Sequence, residues 1–277
     1  MIIRLGNIDY SNCYPIHGPV LERDRPDWLE VVDGPPSDLN RRLANGDLDV
    51  APGSSIELAR HSREYGAMRG LCIGSAGLVE SIIFVSHLPL RELAGRTVAL
   101  PTASATSRCL LRILLEVRLG VEPVWVDFDQ RNRDPLISGP GAAGQVDAAL
   151  FIGDVALRRE GRPGELLFDL GREWTEWTGL PFVYALWLVR GEVANRSEIR
   201  ELHRLFLQSR DAAAVNAPAL ASQASGRYGF PPSRLQSYWS RIRYDLDEQM
   251  LEGLEHFLEL ASEIGEAPRM DGTRLIP

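Results

Sequence analysis

The sequence predicts an α/β protein of two similar lobes with a helical C-terminal tail, and three observations predict it. Strand-like and helix-like runs alternate through the first two-thirds of the 277 residues, the pattern of βαβ units and a mostly parallel sheet. Gly46-Asp47-Leu48-Asp49-Val50-Ala51 resembles Gly144-Gln145-Val146-Asp147-Ala148-Ala149, so each half carries a helix stop, a short buried strand and then a polar loop. From Asn195 onward the apolar spacing turns helical, with Leu202, Leu205 and Phe206 and later Leu251, Leu254, Phe257, Leu258 and Ala261.

Taken in order, residues 2–5 read as a first strand, followed by the loop Tyr10-Ser11-Asn12-Cys13-Tyr14-Pro15-Ile16. Residues 36–45 read as a helix with Leu39 and Leu43 on one face and Gly46 as its stop. A short strand over 48–51 runs into Pro52-Gly53-Ser54-Ser55, and 56–63 is helical. Strands follow at 71–73 and 81–85, separated by Gly74-Ser75-Ala76-Gly77. The run 98–101 is a strand, Ser104-Ala105-Thr106-Ser107 a donor-rich loop, and 109–117 a helix. Ile152-Gly153-Asp154 opens another helix. Trp174 and Trp177, three apart, share one face of a short helix at the lobe junction, and Gly179-Leu180-Pro181 turns the chain after it. Two crossings are expected, at 84–93 and at 182–190. They place residues 1–88 and 186–277 in the first lobe and 89–185 in the second, with the ligand cleft between.

Composition narrows the function. The chain is 44% hydrophobic and 25% charged, enough to bury a core. No apolar run approaches the ~20 residues needed to span a bilayer. Met1 to Gly6 reads as strand rather than signal peptide, so a cytoplasmic protein is expected, with no membrane partner. A net charge of -8 without a basic block disfavours nucleic acid. All 30 basic residues are Arg, which excludes a Schiff-base lysine, a lysine-anchored pyridoxal phosphate and a Walker-type phosphate loop. Cys13, Cys72 and Cys109 are scattered, and the five His form no ligand spacing. There is no Gly-x-Ser-x-Gly elbow and no dinucleotide fingerprint. Neither a metal nor a cofactor is expected, and no general base is evident.

What remains is a set of short polar loops at strand ends, where open α/β sheets bind ligands. A helix start has N–H groups without internal partners and a dipole that favours negative charge. Ser and Thr add donors there without filling the space. Asn12 both donates and accepts, which suits a hydroxyl or carboxylate. Loops of this kind shared between two lobes describe a cleft for a small anionic molecule. The candidate binding residues are Ser54, Ser55, Ser75, Gly77, Ser81, Ser104, Ala105, Thr106, Ser107, Gly153, Asp154 and Thr178, with Asn12 as the candidate catalytic residue. Asp154 also suits an N-cap or a hydroxyl acceptor. Each loop alone reads equally as an ordinary cap or turn.

In their order and spacing these motifs resemble the chorismate dehydratase family, which acts first in the futalosine route to menaquinone. The resemblance runs from residue 2 to about residue 190. It rests on residues 10–16, on 46–51 with Ser54-Ser55, on Ser75-Ala76-Gly77 with Ser81, on 104–107, on 152–154 and on 174–182. It implies a fold like type 2 periplasmic binding proteins, with mixed sheets flanked by helices, two lobes joined by two crossings and the tail on the first lobe. It implies removal of water from chorismate to give 3-[(1-carboxyvinyl)oxy]benzoate. Ser104, Thr106 and Ser107 would then hold one carboxylate. Ser55, Ser75 and Ser81 would serve the other end or the ring hydroxyl, and Asn12 would orient the reacting part. With no protein base evident, the substrate's own enolpyruvyl carboxylate is the expected proton acceptor. The rivals are a non-catalytic binding protein for a small anion and the related synthase that acts later in the same route.

Overall fold

The same bonding scheme builds both halves of the chain. In the computed structural model, which describes residues 2–132, 134–137 and 146–276, the first half runs β1 (Ile3–Asn7), α1 (Tyr14–Glu22), β2 (Leu29–Asp33), α2 (Pro36–Asn45), β3 (Val50–Ser54), α3 (Ile56–Arg60) and β4 (Tyr65–Ser75). The chain then crosses to β5 (Ile82–Ser86), β6 (Thr97–Pro101), α4 (Ala105–Arg112), β7 (Val124–Phe128), β8 (Ala148–Ile152), α5 (Gly153–Leu157), β9 (Leu166–Asp169) and α6 (Leu170–Thr178). It returns as β10 (Phe182–Arg190) and ends in α7 (Ser197–Val215), α8 (Ala217–Tyr228), α9 (Pro232–Trp239), α10 (Glu248–Glu263) and β11 (Leu275–Ile276).

The first sheet has the order β11-β4-β10-β3-β1-β2 and the second β7-β6-β8-β5-β9. In each, three strands are parallel (β2-β1-β3 and β7-β6-β8) and an antiparallel strand delivered across a lobe crossing pairs beside them (β10 on β3, β5 on β8). The repeated sequence explains the match. Asp49 N donates to the Arg4 carbonyl at 2.9 Å, and Asp147 N to the Thr97 carbonyl at 2.8 Å. The Asp49 carboxylate accepts Arg4 N at 2.8 Å, and the Asp147 carboxylate accepts Thr97 N at 2.9 Å. One aspartate per lobe thus fixes the register of the two central parallel strands. Burial opposes the charge on Asp49, but the hydrogen bonds and charge of Arg4 outweigh it and hold that carboxyl below its usual range. Gly144 and Gln145, the start of the second copy, lie outside the described residues.

The expected helix over 36–45 forms at those bounds. Leu39 and Leu43 are buried, and Gly46 at φ +82 sends its N–H back to the Arg42 and Leu43 carbonyls. The helix expected over 109–117 begins earlier, at Ala105, so most of the donor-rich loop is its first turn, with Ser104 as N-cap accepting Ser107 N at 3.3 Å. Other expectations shift. Tyr14 to Ile16 is the first turn of α1, because Pro15 suits the start of a helix. The strand expected over 71–73 is eleven residues long, since its buried faces continue to both sides.

Both lobe boundaries move. Strand 82–86 pairs with β8 and β9, so it belongs to the second lobe rather than to residues 1–88. All of 182–190 pairs with β3 and β4 of the first sheet, so the return precedes residue 182 rather than residue 186. The crossings are residues 76–81 and 179–181. Apolar character alone could not separate a strand leaving one sheet from a strand entering the next. The first crossing is locked by Asp169, whose carboxylate accepts Val79 N, Glu80 N at 2.7 Å and, as the α6 cap, Arg172 N at 3.1 Å. Glu80 is the single non-glycine residue at positive φ among the described residues, at +64, and its carboxylate pairs with Arg234 and Arg241.

A continuous core joins the lobes. In the second sheet the pleat divides it: Phe84, Val98 and Leu150 face this core, while Val85, Ala99, Ala149 and Phe151 face a smaller cluster. Trp174 is fully buried, meets Trp177 edge-on at 5.9 Å and donates to the Pro181 carbonyl at 3.2 Å, which supports the lobe-junction reading. The tail packs on the first lobe through α7 against α1 and α10 against β10. It also reaches the second lobe, where Glu266 pairs with Arg112 and the Tyr228 carbonyl accepts from Arg158. No helix among the described residues is long and apolar enough to cross a membrane, and no cluster of His, Cys, Asp or Glu there could hold a metal ion.

Candidate ligand cleft between the lobes

Four loops at the carboxyl ends of parallel strands converge on one cleft. They follow β1, β3, β6 and β8, two from each lobe. Its cavity is small, about 70 Å³, and opens to solvent at the mouth. Its polar lining comes from Tyr10, Asn12, Ser54, Ser104, Ser107, Gly153 and Tyr184, and Ile8, Ile73, Ile82 and Ile152 supply apolar walls. Among the described residues no Arg, His, Asp or Glu side chain lines it. The described lining offers an anion hydroxyls, an amide and the start of α4.

The thirteen residues singled out in the sequence divide in two. Asn12, Ser54, Ser104, Ser107 and Gly153 line the cleft. The other eight do not. Ser55 Oγ donates to the Val183 carbonyl at 2.7 Å and lies 3.2 Å from Thr106 Oγ1, which also accepts Ile56 N at 3.2 Å. These two hydroxyls join α3 to α4 across the lobes. Ser75 Oγ donates to the Gly77 carbonyl at 3.0 Å and lies 3.2 Å from the Tyr184 hydroxyl, while Gly77 N donates to Thr175 at 3.0 Å. Both brace the first crossing. Thr178 Oγ1 donates to the Trp174 carbonyl at 2.9 Å and accepts Leu180 N at 3.1 Å, closing the end of α6. Ala105 faces a separate outer groove beside α4. That groove is lined by Arg60, Arg108 and Arg112, each paired with an acid.

Asp154 and Ser81 lie just behind the cleft wall. The Asp154 carboxylate accepts the Ser11 hydroxyl at 2.5 Å and Ser11 N at 3.2 Å, so it is a hydroxyl acceptor that ties the β1 loop to the second lobe. Burial raises the Asp154 carboxyl above its usual range against the opposing hydrogen bonds from Ser11. Ser81 is buried and its carbonyl accepts Gly153 N at 2.8 Å.

Asn12 stands out chemically. Its carbonyl accepts the Tyr244 hydroxyl at 2.9 Å, while its amide oxygen is buried with no hydrogen-bond partner. The fully buried Tyr238 hydroxyl is also unpartnered. A buried polar group left this way costs about 1–3 kcal/mol. Burial pushes the Tyr238 phenol well up, and the Ser81 and Asn12 side chains pull the other way. Tyr10, Tyr184 and Tyr238 were not singled out in the sequence. Tyr10 opens the 10–16 motif, but Tyr184 sits in an apolar strand run, and Tyr238 lies far along the chain in the helical tail.

Two α/β lobes joined by two crossings, with strand-end loops around a central cleft, define a periplasmic-binding-protein-like architecture. The chain superposes on the periplasmic aliphatic sulphonate binding protein from Escherichia coli with a TM-score of 0.66 at 15% identity, covering 100% of this chain and 94% of that one. A family model described as menaquinone biosynthesis matches residues 3–263, and the chain belongs to that family. It is 29% identical over 271 residues to a protein named chorismate dehydratase from Thermus thermophilus, covering 92% of this chain and 93% of that one. It is 30% identical over 180 residues to a 1,4-dihydroxy-6-naphtoate synthase of the same organism, covering 65% of this chain and 61% of that one.

Proposed function

We propose that this protein is a carbon–oxygen lyase that eliminates water from chorismate to give 3-[(1-carboxyvinyl)oxy]benzoate. The observation that carries the reading is the match along nearly the full length of both chains to a protein of that activity. The cleft supports it. Chorismate carries two carboxylates and a ring hydroxyl, and the cleft supplies hydroxyl and amide donors from both lobes.

In the proposed mechanism Ser104, Ser107 and the start of α4 hold one carboxylate. Ser54 takes the role first given to Ser55, at the other end of the ligand. Charge-assisted hydrogen bonds contribute about 1.5–3 kcal/mol each, so a few of them match the roughly 8 kcal/mol of micromolar binding before ordering costs. Among the described residues no carboxylate or imidazole lines the cleft to act as base. The substrate's enolpyruvyl carboxylate takes the ring proton, the electron pair of that C–H bond forms the ring double bond, and the ring C–O bond breaks. Hydroxide and the abstracted proton leave as water. Asn12 orients this part of the ring and stabilises the negative charge that develops on it. Aromatisation makes the reaction strongly downhill, so positioning matters more than a strong catalytic group.

The test is incubation with chorismate while watching for 3-[(1-carboxyvinyl)oxy]benzoate. Asn12→Ala should lower turnover about 100-fold or more, the loss seen when one charge-stabilising donor is removed, and leave the melting temperature close to wild type. Full turnover in that variant removes Asn12 from the mechanism. Thermal stabilisation by chorismate without product favours the binding-protein reading that the architecture also allows.

A further inference from the structure

Elimination of water needs a proton at the departing oxygen as well as an acceptor for the ring hydrogen. Tyr10 is built to supply it. It lines the cleft with Asn12, the two standing first and third in a turn closed by Cys13 N on the Tyr10 carbonyl at 3.0 Å. Ser11, between them, gives its hydroxyl to the Asp154 carboxylate at 2.5 Å. The Tyr10 ring comes from the first lobe and rests on Gly153 of the second, where an added Cβ would lie 3.0 Å from its Cε2 and 3.1 Å from its Cδ2. Gly153 is at φ +61, so its backbone favours glycine as well. The ring is held from both lobes, yet among the described residues the Tyr10 hydroxyl has no hydrogen-bond partner. Other hydroxyls of the lining are committed or are weaker acids. Ser104 Oγ donates to Ser107 Oγ at 3.0 Å. The Tyr184 hydroxyl lies 3.2 Å from Ser75 Oγ, whose own proton goes to the Gly77 carbonyl, so Tyr184 is the donor of that pair. Ser54 and Ser107 are aliphatic alcohols, far less acidic than a phenol.

We propose that Tyr10 is a catalytic residue, the general acid that protonates the ring oxygen as its C–O bond breaks. The assignment rests on the chorismate reading above. The substrate's enolpyruvyl carboxylate takes the ring proton, and the electrons of that C–H bond form the ring double bond. The departing hydroxide takes the Tyr10 proton and leaves as water. The phenolate then recovers the ring proton from the enolpyruvyl carboxylic acid, which restores both groups. Burial, with the Asp154 charge adding to it, pushes the Tyr10 phenol up to about 12. That keeps it protonated at neutral pH. It remains a stronger acid than water, at about 15.7, so transfer to a departing hydroxide is downhill.

Tyr10→Phe removes only the oxygen and keeps the ring on Gly153, so the melting temperature should hold. Turnover of chorismate should fall about 100-fold, with KM changed less than about threefold. The second substrate is a chorismate analogue with fluoride in place of the ring hydroxyl, a leaving group that needs little proton assistance. On it Tyr10→Phe should come within about threefold of wild type. Wild-type kcat on chorismate in Tyr10→Phe overturns the proposal. So does an equal loss on both substrates, which would make the phenol a group that only places the ligand. A fallen melting temperature overturns it too, because it would make the hydroxyl a structural bond. A wild-type protein that converts neither compound overturns the chorismate reading and this role with it. A wild type active on chorismate with Tyr10→Phe its equal overturns this role alone.

Discussion

His17 shows how completely burial can silence a titratable side chain. Its Nδ1 lies 2.8 Å from the Asn7 amide oxygen, and its Nε2 accepts the Trp187 indole N–H at 2.8 Å, so both ring nitrogens are engaged in the neutral form. Burial pushes its pKa down to about 3. The folded value lies below the unfolded one, near 6.5, so this contribution is complete above pH 6.5 and declines as pH falls toward 3. Between pH 6.5 and pH 5 the loss is about 2 kcal/mol. Urea titrations at pH 7 and pH 5 check it: His17→Gln should flatten the difference, and an unchanged difference would assign the acid sensitivity to another group. His17 directly follows the 10–16 motif, yet its work is in the core. Asn12, five residues earlier, is the side chain left with an orphan oxygen at the cleft.

At the scale of elements, α10 decides how the return crossing sits. An added Cβ at Gly253 would lie 2.0 Å from the Pro181 carbonyl oxygen, so only glycine lets the helix approach residues 179–181. Gly253→Ala should destabilise by about 2 kcal/mol or more through forced separation of helix and crossing. Gly226, in α8, has nothing within 4 Å of an added Cβ, and Gly226→Ala should stabilise by up to about 1 kcal/mol. Thermal unfolding of the pair separates contact from propensity; equal effects would refute the close-approach argument. The elements themselves were legible where local chemistry is decisive. The α2 helix with its glycine stop and the Ser104 cap need only neighbours in sequence. The edge strands β7 and β9 were missed because they are short and turn apolar residues outward, Val124, Val126, Leu166 and Leu167, so no apolar–polar alternation marks them.

For the whole molecule, the controlling question is how the lobes stay closed. Ser11 to Asp154 and Ser55 to Thr106 join them directly on either side of the cleft. Asp154→Ala removes the acceptor of both the Ser11 amide and its hydroxyl. Hydrogen bonds to a charged group contribute about 1.5–3 kcal/mol, so the closed form should lose on the order of 2 kcal/mol against the open one. Small-angle scattering should then show a larger radius of gyration in this variant than in wild type without ligand. An identical scattering curve would mean that the tail contacts alone set closure. This division of labour also explains the eight site expectations that moved. A hydroxyl at a strand end is read the same way in sequence whether it meets a ligand, caps a helix or bridges two lobes.

By itself the sequence determined the two-lobe α/β architecture, the repeated strand, the helix stops and the strand-end loops. Those features depend on apolar periodicity, backbone conformation and bonds between near neighbours. Only the tertiary structure decided which hydroxyls face the ligand space, where the chain changes sheets, and that Trp239 and Tyr244 close over Ser11 and Asn12. Those depend on the direction of single side chains and on contacts between segments more than 200 residues apart, and local pattern carries no record of either.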